Sequence, residues 1–75
     1  MNHEERIVCD PNVMLGKPII KNTRITVEVI LRKLSSGYTM DEITSMYQNI
    51  TKDDILATID YAASVIASEE MIESH

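Results

Sequence analysis

Gly16-Lys17-Pro18-Ile19-Ile20-Lys21-Asn22-Thr23-Arg24-Ile25-Thr26-Val27 is the stretch in which the chain passes from an extended to a helical habit. The β-branched pair Ile19-Ile20 suits a strand that can partner Ile7-Val8 or Arg24-Ile25-Thr26. Asn22-Thr23 fits a tight turn, because asparagine tolerates left-handed backbone better than other non-glycine residues. Upstream, Arg6-Ile7-Val8-Cys9 alternates weakly, and Asp10-Pro11-Asn12 is a turn signal, since Asp bonds its own backbone while Pro fixes φ. Residues 1–26 therefore predict a two- or three-stranded ribbon, which would be marginal in isolation.

From Thr26 the period is helical. Thr26 is placed as N-cap of a helix over Val27 to Ser36, with Val27, Ile30, Leu31 and Leu34 on one face and Gly37 as the left-handed residue after its end. Thr39-Met40-Asp41-Glu42 is a capping box that starts a short second helix with Met40, Ile43, Met46 and Tyr47 as its apolar face. Thr51 caps a third helix, with Asp53 and Asp54 at its positive end. Ile55, Ile59, Ala62 and Ile66 form the expected buried stripe there, with Leu56 and Ala63 beside it. The prediction is a mainly α fold: one domain with a β ribbon over 1–26 and three helices of the helix-turn-helix kind over 27–72.

Size and charge narrow the partners. A chain this short buries only about 60% of its unfolded surface. With no Trp, no Phe and one cysteine, it has no internal staple, so a homodimer is expected. Cys9 reads as a small half-buried apolar residue. No run approaches the ~20 apolar residues of a membrane span, and no signal-peptide pattern follows the polar start. With an unpaired thiol, these features point to the cytoplasm. Five of the seven Lys and Arg residues lie between Lys17 and Lys33. Residues 1–33 hold six bases against four acids, whereas residues 34–75 hold Lys52 against eight acids. Such polarity predicts a cationic front and an acidic rear facing different partners, unless it is merely a solvated surface.

In the run from Gly16 to Leu31 the chain resembles the small bacterial domain-of-unknown-function family numbered 433. Leu34, Gly37, the Thr39–Ile43 helix start, Tyr47, Ile50-Thr51, Asp54-Ile55, Ala57 and Tyr61-Ala62 continue the match in register. The resemblance covers roughly Ile7 to Ala63. It implies a homeodomain-like three-helix core behind an N-terminal ribbon, and a role as a VapB-like antitoxin partnered with a nuclease toxin of the PIN class. Two positions depart from the pattern. Asn22 stands where a glycine is usual, and Gln48 where a proline commonly follows the tyrosine.

Gly16-Lys17-Pro18 is not a phosphate loop, since proline removes a donor and the segment leads into a strand. Lys17, Lys21, Arg24, Arg32 and Lys33 form the candidate nucleic-acid surface, able to neutralise phosphates with counterion release. The plainer readings are solvated surface for Lys17 and Lys21, and for Arg24 a structural pairing with an acid or with helix carbonyls. The third helix carries Asp53, Asp54 and Asp60 and would be repelled from a major groove, so it is not expected to be a recognition helix. Val65, Ile66, Glu69, Glu70, Met71 and Ile72 make an acidic amphipathic tail suited to a groove on a basic partner, or else to a dimer mate.

No catalytic or metal-ligating set is apparent, and no cofactor is expected. His3 and His75 sit at opposite termini, where disorder is usual. Asp53-Asp54 is better explained by the helix N-terminus than as a catalytic pair. The expected function is an antitoxin-like protein that neutralises a nuclease toxin through its acidic half and binds operator DNA through its ribbon. The alternatives are a stand-alone DNA-binding regulator and a protein-interaction module with no nucleic-acid role.

Overall fold

Two short strands, β1 (Ile7–Cys9) and β2 (Pro18–Ile20), pair antiparallel, with Ile7 opposite Ile20, Val8 opposite Ile19 and Cys9 opposite Pro18. The structure, a computed structural model, describes the backbone of residues 3–73 and the side chains of residues 3–68. Both sequence-based pairings of the second strand occur. On its other edge Ile19 bridges Thr26, and the Ile20 N–H donates to the Ile25 carbonyl at 2.9 Å.

The connections are set by turn chemistry. Asp10 Oδ1 accepts from the Asn12 N–H at 2.8 Å, and the Asp10 carbonyl accepts from the Val13 N–H. Asn22 takes φ 66°, the left-handed conformation its position predicts. Between the strands lies a turn that residue type does not foretell. Met14, Leu15 and Gly16 are all left-handed, at φ 49°, 58° and 79°. Cys9 ends β1 exposed, not half-buried as its residue type suggests: it shares a face of the pleat with the buried Ile7, but it is the last residue of the strand.

Three helices follow: α1 (Val27–Ser35), α2 (Met40–Met46) and α3 (Lys52–Glu73). Thr26 Oγ1 accepts from the Val29 N–H at 3.1 Å and starts α1. The helix ends in a Schellman motif: Gly37, at φ 96°, donates its N–H to the Leu34 carbonyl, and Tyr38 donates to that of Lys33. The capping box of α2 is reciprocal, the Thr39 N–H donating to Glu42 and the Glu42 N–H to Thr39 Oγ1. Thr51 and Asp54 repeat the device at α3, with bonds of 2.9 and 3.2 Å.

The core is made by Ile7 and Ile20 from the ribbon and by Val27, Ile30, Ile43, Ile50, Ile55 and Ala57 from the helical part. Val27 and Ile30 of α1 behave as predicted, and Leu31 and Leu34 pack at the margin. On α2, Met40 and Tyr47 flank the buried Ile43, but Met46 is largely exposed.

The main departure is the rotation of α3. Its buried side holds Asp54, Ile55, Ala57 and Thr58, whereas Leu56, Ile59 and Ile66 face solvent. Ala57 and Thr58 are fully buried, and α3 packs against α1 and α2. Thr58 is satisfied in the interior because its hydroxyl donates to the Ile55 carbonyl at 2.7 Å.

Candidate interaction sites

The ribbon and α1 carry the five cations singled out in the sequence, and the fold treats them differently. Glu28, in the first turn of α1, accepts from Lys17 Nζ at 3.3 Å and from Arg32 Nε at 3.1 Å. The Arg32 and Lys17 hydrogen bonds and charges together hold the Glu28 carboxyl below its ordinary range. Lys33 lies over the ring of Tyr38, 5.1 Å from its centroid, a cation–π contact. Lys21 and Arg24 are exposed, and among the described residues neither makes an ion pair. The structural pairing anticipated for Arg24 is therefore not what the fold gives it. The two cations flank the Asn22-Thr23 turn, at the lip of a hollow of about 510 Å³ whose wall includes Val8, Val13, Ile19 and the acid Asp10.

The rear acids are less isolated than the sequence suggests. Arg6, just ahead of β1, donates from Nη1 to Asp54 Oδ1 at 3.0 Å and sets Nη2 3.7 Å from Asp53. Lys52 pairs with Asp41 at 2.7 Å. His3 Nδ1 hydrogen-bonds Asp60, and its ring meets Tyr61 edge-on at 5.4 Å. The His3 hydrogen bond is the main reason the Asp60 carboxyl lies below its usual range. His3 is thus ordered by α3 and is not the loose terminus expected from its position. Cations at the front and acids at the rear are partly interleaved, so the strict segregation drawn from the sequence does not hold.

The surface of α3 offers the more extended feature. Leu56, Ile59, Ala63 and Ile66 are spaced by three, four and three residues, which places them in one row along the helix. All four are exposed, Ile66 at 54%, with Val65 beside the row at 41%. Of the tail residues proposed for partner binding, Val65 and Ile66 are exposed. The side chains of Glu69, Glu70, Met71 and Ile72 lie outside the described residues.

A third surface was not visible in the sequence. β2 and α1 enclose an apolar groove of about 520 Å³, floored by Pro18, Val27 and Leu31 and rimmed by Lys17, Glu28 and Arg32. Among the described residues, no group of three or more His, Cys, Asp or Glu side chains is placed to hold a metal ion. No described helix is long and apolar enough to cross a membrane.

A family model described as protein of unknown function, DUF433, matches residues 7–62, most of the chain. The chain belongs to the DUF433 family. The fold of this DUF433 protein is shared with a solved structure, a DUF433 member protein from Anabaena variabilis ATCC 29413. The two are 24% identical, with a TM-score of 0.79, and the match covers 96% of this chain and 71% of the other. No curated protein matches the chain. The family resemblance read from Gly16 onward is thereby shown, and the ribbon followed by three helices is shared with that structure.

Proposed function

We propose that this DUF433 protein is a non-catalytic, antitoxin-like binding module that holds a basic, nuclease-type toxin against α3. The observation that carries this reading is the exposed row Leu56, Ile59, Ala63 and Ile66, with Val65 at its edge. An apolar row on one face of a helix is the form in which helices dock into grooves. Beyond Lys52 the sequence has acids and no Lys or Arg, so a complementary groove is basic at its rim. A protein that binds nucleic acid and cuts it has such a surface.

The test is co-expression with a nuclease-like protein encoded beside it, comparing wild type with Ile66→Glu and Leu56→Glu. Both side chains are exposed, so the fold should survive while co-purification and relief of growth arrest are lost. Unchanged co-purification of both variants would sink the assignment of α3. A second reading, a stand-alone DNA-binding regulator, rests on the exposed and unpaired Lys21 and Arg24 at the turn. It is separated from the first by whether those two residues, or α3, govern the biological effect.

A further inference from the structure

Successive side chains of a strand point to opposite faces. Ile7 and Ile20, paired across the ribbon, join the core, so the next pair, Val8 and Ile19, faces the other way. Ile19 is only 3% exposed, yet it stands outside the core cluster. It lines the hollow of about 510 Å³ beside the Asn22-Thr23 turn, together with the half-buried Val8 and Val13. The ribbon therefore has an apolar site of its own, separate from the core.

Two turns that contribute to the lining are fixed by their own hydrogen bonds. In one, Asp10 Oδ1 accepts from the Asn12 N–H at 2.8 Å and the Asp10 carbonyl from the Val13 N–H at 2.9 Å. In the other, the Thr23 hydroxyl donates to the Ile20 carbonyl at 2.7 Å and accepts from the Ile25 N–H at 3.0 Å. Walls ordered in advance lower the cost of binding.

The charge of the lining is unbalanced. Lys21 and Arg24 belong to it, both exposed and, among the described residues, without an ion pair. Asp10 is the acid in the same lining, and one of its oxygens is already taken by Asn12. Two cations against one acid leave a net of one positive charge beside an apolar surface. A few polar groups around an apolar cavity of about 300–1,000 Å³ is the form of a small-molecule site. The groove between β2 and α1 is similar in volume, but Glu28 already holds its two cations.

We propose that this hollow binds a small organic carboxylate with an aliphatic body, its chain against Val8, Val13 and Ile19 and its carboxylate at Lys21 and Arg24. The site is independent of the α3 row and goes beyond the antitoxin reading.

Heteronuclear NMR of the full chain, titrated with hexanoate, tests it. The amides of Val8, Val13, Ile19 and Arg24 should shift saturably. Acetate, which has the charge without the chain, and hexanol, which has the chain without the charge, should each bind about tenfold more weakly. Lys21→Gln with Arg24→Gln should weaken hexanoate about tenfold, leave hexanol unchanged and keep the thermal midpoint of wild type, because neither side chain has an ion pair to lose. Val13→Ser should weaken both probes. Hexanoate that moves no amide of the hollow, shifts that never saturate, or hexanol that binds as well as hexanoate would each overturn the proposal. A response of these amides to duplex DNA alone would give Lys21 and Arg24 to phosphate and overturn it as well.

Discussion

Arg6 joins the N-terminal ribbon to the start of α3, and its removal gives the sharpest check on how the fold is held. Its guanidinium meets Asp54 at 3.0 Å, while Asp54 is 8% exposed and also accepts from the Thr51 N–H at the start of α3. Arg6→Ala leaves that carboxylate shielded from water with one partner fewer. A hydrogen bond to a charged group contributes about 1.5–3 kcal/mol. The Arg6 side chain is itself 39% exposed, so solvent screening brings the expected loss to about 1–2 kcal/mol. For a domain of this size, each kcal/mol lowers the thermal midpoint by roughly 4–8 °C. Urea unfolding followed by far-UV circular dichroism, on Arg6→Ala, Asp54→Asn and the double variant, isolates the pairwise part. The expected coupling is about 1 kcal/mol. Strict additivity, within about 0.3 kcal/mol, would refute the claim that this pair ties the ribbon to α3. Arg6→Lys should recover less than half of the loss, because a single ammonium cannot reach Asp53 as well.

Acid should weaken the fold through two surface carboxylates. Glu28 and Asp60 both titrate below their ordinary values when folded, so their contributions are present above those values and fall away as pH drops through the lowered ones. His3→Ala should remove Asp60's share of this acid sensitivity, measured as the slope of thermal midpoint against pH below about 5. Gly37→Ala places a Cβ at φ 96° with nothing near enough to clash, so its cost of about 1 kcal/mol is purely conformational, and an unchanged urea midpoint would contradict it. Lys21→Glu with Arg24→Glu should abolish any salt-sensitive shift of operator DNA. Reversal of Lys17 and Arg32 should matter less, because Glu28 already occupies them.

Local grammar carried much of the architecture. Thr26, Gly37, Thr39 with Glu42, and Thr51 each act where residue type and spacing put them, because caps and turns depend on atoms within four residues. What depends on distant neighbours was read less well. The α3 stripe was assigned to Ile55, Ile59, Ala62 and Ile66; Ile55 is buried as expected, but Ile59 and Ile66 are exposed and Ala57 and Thr58 are buried instead, since which side of α3 is covered depends on how three helices pack together. The Thr51-x-x-Asp54 pattern was itself a capping signal, but nothing along the chain announces that Arg6, 48 residues away, closes on the same carboxylate. The free charge of the five-cation patch was overcounted for the same reason. Glu28 is counted in the sequence as one acid, but in space it engages two of the five bases. The left-handed turn at Met14 and Leu15 had no warning beyond Gly16, because neither residue type favours it.

The long helix has a kinetic consequence. Over Ile55 to Tyr61, α3 is clamped by the core, so its amides there should exchange with deuterium only when the whole molecule opens. From Ala63 to Ser68 every residue is exposed, and helicity there rests on the hydrogen-bonded ladder alone. One rod therefore spans two regimes of lifetime, slow at its root and fast beyond. Whatever lies along the outer part will slow its exchange first, which makes that gradient a direct gauge of occupancy.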